Sequence, residues 1–148
     1  FWFGADYYAA SLGNTAQSGS WLVWDKRVEA NFDKMYGSSF ELIWSKTRHK
    51  RDILRHTWAG IFGTEQEPEH QRFHPTQKPL PLLVDILERY SKAEDIVMDC
   101  YAGVGSILIA CEQLGRVYRG IELDPGYVAV TLERWHQLTG ETPRLTSS

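Results

Sequence analysis

"VMDCYAGVGSILIACEQLG", residues Val97 to Gly115, sets a short glycine loop between two apolar runs and puts an aspartate at its mouth. The first run, Asp95–Asp99, reads as a buried strand, and Ser106–Leu114 reads as an almost wholly apolar helix. Strand, glycine turn and helix in that order make a dock for a nucleotide-like ligand, because main chain can approach the ligand closely at the start of a helix. The identity of that ligand turns on Asp99, since a carboxylate opposes a bound phosphate.

The neighbouring segments set the loop in an alternating pattern. "HPTQKPLPLLVDILERYS" (His74–Ser91) opens on prolines and then carries Leu83, Ile86, Leu87 and Tyr90 at i, i+3, i+4 and i+7, which predicts a helix with one apolar face. "YRGIEL" (Tyr118–Leu123) predicts the next strand. A further helix starts near Pro125, with Val128, Thr131, Leu132 and Trp135 on one face and the proline in its first turn. Helix, strand, helix, strand, helix indicates parallel strands joined by right-handed crossovers, and so an α/β, doubly wound, open sheet with its ligand at the carboxyl ends of the strands. "LTGETPRLTSS" is expected to close the chain with a short edge strand after Gly140.

The amino-terminal part reads differently. "FWFG" (Phe1–Gly4) is expected as a short buried strand, Asp6–Leu12 as a helical stretch and Asn14–Ser20 as a polar turn. "WLVWDK" (Trp21–Lys26) and "FELIWSK" (Phe40–Lys46) are rich in aromatic and aliphatic residues, and predict two strands that pair as a long-looped antiparallel ribbon. Residues 47–73 read as a loop-like insertion, basic first and then acidic at Glu65, Glu67 and Glu69. The chain opens without an initiator methionine, so the expectation is a fragment, or residues that precede Phe1.

Composition bounds the rest. The 148 residues suit one domain with a real core. A formal net charge of -3 means that any nucleic-acid contact must come from a local basic patch. Cys100 and Cys111 form no C-x-x-C pair and suggest a reducing, cytoplasmic setting. No apolar run reaches the roughly 18 residues of a membrane span, and neither a signal peptide nor zinc-ligand spacing is present.

Weighed as a ligand loop, Val97–Gly115 rejects one candidate and splits others. A Walker loop needs G-x-x-x-x-G-K-[ST], and no lysine follows Gly105. The dinucleotide fingerprint G-x-G-x-x-G/A is met at Gly103 and Gly105 but has Leu108 in its third position, while Glu122 stands near the place of a ribose-binding carboxylate. A pyrophosphate prefers bare N–H groups, whereas S-adenosyl-L-methionine brings a sulfonium and an ammonium, both cationic, which a carboxylate favours. From the loop alone, a methyl donor and a merely capping aspartate beside some other ligand, NAD included, both stay open.

The longer pattern resembles the DNA amino-methyltransferases that modify adenine N6 or cytosine N4, in their permuted class, where the target-base half precedes the cofactor half. "HPTQKP" (His74–Pro79) matches that family's cofactor-side entry motif letter for letter. "DCYAGVGS" (Asp99–Ser106) is similar to its D-P-F-x-G-x-G-[ST], and "GIELDPGY" (Gly120–Tyr127) to its ribose-binding strand end. The resemblance spans nearly the whole chain. It implies an S-adenosylmethionine-dependent methyltransferase Rossmann-like fold: a mostly parallel sheet with an antiparallel edge, divided into part of the target-base half (1–46), a short DNA-recognition insert (47–73) and the cofactor half (74–148). It implies that Asp99, Tyr101, Gly103 and Gly105 line the methionine and sulfonium region. Glu122 takes the ribose, Leu123 lies near the adenine, and Thr76, Lys78 and Pro79 cover the amino-acid end, with the lysine opposite the cofactor's carboxylate.

The same resemblance implies double-stranded DNA as substrate, a flipped target base, adenine before cytosine, and a place in restriction–modification. Lys46, Arg48, Lys50, Arg51 and Arg55 are then the candidate phosphate contacts in an otherwise acidic protein, sequence selection being left to few contacts or to a second subunit. The tryptophans are expected in the core or on the sheet, with one available to stack on an extruded base. Two departures stand out. Cys100 and Tyr101 replace a proline and a phenylalanine, the tyrosine keeping the flat ring. The catalytic [D/N/S]-P-P-[Y/F/W] does not occur, and "DPGY" (Asp124–Tyr127) follows the ribose strand in the other half. The resemblance puts the catalytic strand upstream of Phe1, so the sheet is expected to lack a central strand and the catalytic residues are unassigned. The alternative reading is a non-catalytic module that holds S-adenosylmethionine or DNA.

Overall fold

In Ser20–Asp25 every second side chain is buried, with Ser20, Leu22 and Trp24 on the inner face, the period expected of a strand covered on one side. This strand is β2 in the computed structural model, which describes residues 1–27, 37–57 and 77–146. It pairs antiparallel with β3 (Phe40–Ser45), in the register Trp21↔Trp44 and Trp24↔Glu41, as the aromatic content of both segments predicts. Trp24 is the centre of the packing. Its ring meets Phe3 edge-on at 6.5 Å, its indole N–H donates to the His56 carbonyl at 2.9 Å, and the Lys26 ammonium lies 4.7 Å from its ring centroid. Lys26 also pairs with Glu41 at 3.0 Å.

Two expectations for this part are corrected. Residues 47–73 are not wholly a loop: Asp52–Arg55 forms β4, which lies parallel to β2 and extends a sheet of order β1-β3-β2-β4. The opening strand β1 (Trp2–Phe3) is not buried, since Trp2 is exposed and Phe3 half-buried; it pairs antiparallel with β3 at the edge. Between β1 and β2 the chain forms a single helical turn, α1 (Ala9–Leu12), and a 3-10 turn at Gly13–Gln17.

The chain divides into two compact units, Phe1–His70 and Gln71–Ser148. The second holds α2 (Leu80–Tyr90), β5 (Ile96–Asp99), α3 (Ser106–Leu114), β6 (Val117–Gly120) and α4 (Pro125–Thr139). This is the predicted alternation, and β5 and β6 are parallel with Asp99 opposite Gly120. Helix α2 buries Leu82, Leu83, Ile86 and Leu87. The guanidinium of Arg116 closes its end, donating to the carbonyls of Leu87 at 3.3 Å and Ser91 at 3.0 Å. Asp124 caps α4, its carboxylate accepting the Gly126 amide at 2.7 Å.

The described strands form a four-stranded sheet, two of whose three pairings are antiparallel, in the first unit and a parallel pair in the second. Here too parts of the structure depart from expectation. Strand β5 is covered on one face only, the face of Asp99, while Ile96 and Met98 on the other are 70% and 65% exposed. On α4, Thr131 is buried but Leu132 is exposed. Residues 141–146 form no strand, and among the described residues no partner strand pairs with them.

Candidate functional site

The parallel pairing of β5 with β6 brings the two predicted carboxylates to the same end of the strands. Past that end, the chain turns through Cys100–Gly105 into α3. Gly103 and Gly105 have φ of +53° and +74°, a region that side-chain-bearing residues enter only with strain. At Gly105 there is also no room: a Cβ would lie 2.5 Å from the Thr131 methyl of α4.

The amides of this loop are largely committed to the protein itself. Tyr101 N–H donates to Asp99 Oδ1 at 3.0 Å, Ala102 N–H to the Ile121 carbonyl at 3.0 Å, Gly103 N–H to Glu122 Oε2 at 2.7 Å, and Gly105 N–H to the Ala102 carbonyl at 2.9 Å. A phosphate cradle keeps such donors open and presents no negative charge. This loop does neither, since two of its amides already serve carboxylates. The other oxygen of Glu122, Oε1, accepts the Asp124 amide at 2.9 Å. A carboxylate offers about four lone-pair sites, so each Glu122 oxygen keeps capacity for a ligand hydroxyl.

Charge at the strand ends is crowded. Burial raises the Asp99 carboxyl above its ordinary value, the Tyr101 amide pulls it down, and the negative charge of Glu122 pushes it up again. Tyr118 follows the same logic, its phenol raised by burial and then by Asp99, Cys111 and Glu122. Its hydroxyl is buried, has no hydrogen-bond partner among the described residues and rests against Gly120. Burial pushes the Cys111 thiol up to about 11, against the opposing pull of Arg116. A cation placed at this end relieves the whole set, whereas an anion adds to the repulsion.

Of the sequence-predicted residues, Asp99, Tyr101, Gly103, Gly105 and Glu122 converge in one hydrogen-bonded cluster. Tyr101 and Leu123 stand on its rim, 88% and 94% exposed. Lys78 and Pro79 lie at the entry to α2, Pro79 as its buried N-cap. Thr76 falls outside the described residues, as do His74 and Pro75. The structure adds Thr131 and Arg134, which reach the loop from α4. Their spacing marked Thr131 only as part of an apolar face, and nothing local marked Arg134.

In the first unit Lys46, Arg48, Lys50, Arg51 and Arg55 are all exposed. Four lie in the connection from β3 to β4, and Arg55 alternates with buried Leu54 on β4. The connection is tied down: Ser20 Oγ and the main chain of His49 exchange two hydrogen bonds of 2.8 Å, and Arg48 Nε donates to the Ser18 carbonyl at 3.1 Å. The cations are thus carried on an anchored strand connection. Among the described residues, no helix is long and apolar enough to cross a membrane.

Residues 6–133 match a family model described as DNA methylase, of the N6/N4 type. Among curated proteins, the chain is similar to the type II methyltransferase M2.MboI of Moraxella bovis, at 28% identity over 122 residues that cover 82% of this chain and 42% of that one. It is 34% identical over 88 residues to the type II methyltransferase M.HinfI of Haemophilus influenzae, covering 57% of this chain and 24% of the other. The chain therefore spans less than half the length of these relatives. Among solved structures it resembles the PvuII DNA methyltransferase, described as cytosine-N4-specific, with a TM-score of 0.64 at 13% identity, over 88% of this chain and 56% of that one. The M1.HpyAVI–SAM complex gives 0.54 at 23% identity, over 88% and 68%. Identities this low speak to the fold alone.

Proposed function

The chain belongs to the DNA methylase family whose N6/N4 model spans residues 6–133, and from that premise we propose that it forms the cofactor half and part of the target half of a permuted DNA amino-methyltransferase, using S-adenosyl-L-methionine. The observation that carries this reading is the glycine loop whose amides are spent on Asp99 and Glu122. Such a loop suits a ligand that is cationic at the strand ends and carries no phosphate there, and it disfavours NAD.

The residues fit the cofactor's chemistry. Asp99 offers a carboxylate to the ammonium and sulfonium end. Glu122 offers its remaining lone pairs to the ribose hydroxyls. Tyr101, exposed on the rim, offers a flat ring to the methionine and sulfonium region, and Leu123 a branched apolar surface to the adenine. Lys78, with Thr76 and Pro79, is assigned to the carboxylate at the other end of the amino-acid moiety. Bound there, the cofactor supplies a methyl group already activated on sulfur, so no metal or enzyme nucleophile is needed.

For the whole protein, the proposed reaction is attack of an exocyclic amine of a flipped base on that methyl carbon. A nitrogen–carbon bond forms as the carbon–sulfur bond breaks, the electron pair stays on sulfur, and the amine loses a proton. Adenine N6 is the proposed target before cytosine N4. Lys46, Arg48, Lys50, Arg51 and Arg55 would neutralise backbone phosphates of the duplex.

Calorimetric titration of the chain with S-adenosylmethionine, and separately with NAD, tests the reading. Saturable binding of the first alone, weakened at least tenfold in Asp99→Ala, is the expected result, since loss of a charge-assisted contact costs about 1.5–3 kcal/mol. A folded wild-type chain that binds NAD in preference overturns it.

A further inference from the structure

The loop is held from behind as well as from the strands. Thr131 Oγ1 donates to the Gly103 carbonyl at 3.1 Å, and Arg134 Nη1 donates to the next carbonyl, that of Val104. The Arg134 guanidinium also reaches Ser106 Oγ, the first residue of α3, at 3.5 Å. Thr131 is buried and its methyl fills the space that a Gly105 side chain would need. Residues 131 and 134 are one turn apart on the same face of α4, so a single helix grips two consecutive peptide units.

A trans peptide is planar, with its C=O and N–H on opposite sides. Pulling the Gly103 carbonyl toward α4 therefore turns the Val104 N–H away from α4. That amide makes no hydrogen bond among the described residues, although Val104 is only 3% exposed. Tyr101, Ala102, Gly103 and Gly105 on either side of it are all paired, and a buried donor without a partner is costly.

We propose that Thr131 and Arg134 are positioning residues for the cofactor: from α4 they fix two peptide units of the glycine loop, so that the Val104 amide is presented to an acceptor atom of the bound ligand. This rests on the S-adenosylmethionine reading above. Neither residue touches the ligand; both act through the loop.

The test combines calorimetry with S-adenosylmethionine, thermal melting, and hydrogen exchange of the loop amides in the ligand-free chain. Thr131→Val keeps the volume and removes only the hydroxyl. It is expected to weaken binding about tenfold and to speed exchange at residues 103–105, with the melting temperature lowered by no more than the few degrees that one lost hydrogen bond accounts for. Thr131→Ser is expected to restore both. Arg134→Gln should weaken binding likewise, and Arg134→Lys should recover part of it. Wild-type affinity and exchange in Thr131→Val overturn the proposal. So does a loss of binding that merely follows a fall in melting temperature and that serine does not rescue. The two readings separate cleanly: absence of binding by the wild-type chain sinks the cofactor reading, while unchanged loop exchange in Thr131→Val sinks the brace.

Discussion

Glu122, just past the end of β6, accepts the main-chain amide of Gly103 at 2.7 Å and so ties one strand end to the loop that leaves the other. In the proposed site the side chain has two tasks that mutation can separate, since holding the loop needs only an acceptor whereas receiving two ribose hydroxyls favours a full carboxylate. Glu122→Gln should keep the loop folded, with melting temperature nearly unchanged, and weaken S-adenosylmethionine binding about three- to tenfold. Glu122→Ala leaves the Gly103 amide unpaired and should lose binding and about 1–3 kcal/mol of stability. Calorimetry beside thermal melting distinguishes the two.

In the proposed site Asp99 faces a cation of the ligand, and its burial beside Glu122 costs the fold stability when the carboxylate is charged. Its folded pKa is raised by burial and by Glu122, so near its titration the folded chain binds more protons than the unfolded one. The sign follows: this group's contribution falls as pH rises through the folded pKa, and the penalty persists above it. Asp99→Asn should therefore melt at the same or a higher temperature at pH 7 to 8, while cofactor affinity falls at least tenfold. Wild-type affinity should itself weaken on acidification, beginning above the usual carboxylate range of about 4. A melting temperature that drops in the asparagine variant would contradict this assignment.

Gly105 gives a steric prediction. Alanine there must adopt φ of +74° and place its Cβ 2.5 Å from the Thr131 methyl. The backbone term is about 1–2 kcal/mol and the overlap about 1–3 kcal/mol. Gly105→Ala should lower the melting temperature by several degrees and abolish detectable binding. Combining it with Thr131→Ala removes the obstructing side chain and should recover part of the stability, though not the affinity.

The parts of the fold that could be read from sequence are those in which local pattern and tertiary environment agree. Richness in aromatic and aliphatic residues marked β2 and β3, and the four-residue spacing of Leu83 and Leu87 marked α2. Strand β4 escaped because "DILR" is four residues long inside a cationic run, and its pairing with β2 is a long-range contact. Ile96 and Met98 looked like core residues because they are apolar, but the composition of β5 does not say which face is covered. At the site, the positions of Asp99 and Glu122 at neighbouring strand ends were legible in the sequence, and the parallel pairing brings the two together. The bonds from Thr131 and Arg134 were not, for each closes a gap of 28 or 30 residues that no periodicity encodes.

The two cysteines offer a chemical report on the proposed site. Cys100, between Asp99 and Tyr101, is exposed, whereas Cys111 is buried in α3 with its thiol pushed up to about 11. At pH 8 a maleimide should modify Cys100 and spare Cys111, because the thiolate is the reactive form and access is required. Saturating S-adenosylmethionine should slow modification of Cys100, read by mass spectrometry of the peptide carrying it. Protection by NAD instead would argue for a different ligand.

The basic connection between β3 and β4 yields a prediction that charge counting makes quantitative. Each phosphate neutralised contributes about 0.9 to the slope of log affinity against log salt on duplex DNA. Lys46, Lys50 and Arg51 are exposed, whereas Arg48 is partly engaged by the Ser18 carbonyl and Arg55 sits on the strand itself. Replacing Lys46, Lys50 and Arg51 together by alanine should lower the magnitude of that slope by about 2–3. Duplex affinity at low salt should weaken for cognate and unrelated sequences alike, because phosphate contacts position the protein without reading bases. Cofactor affinity, which the proposed site assigns to the other compact unit, should stay at its wild-type value. An unchanged slope would make the run a solvated surface and move the duplex contacts elsewhere in the protein.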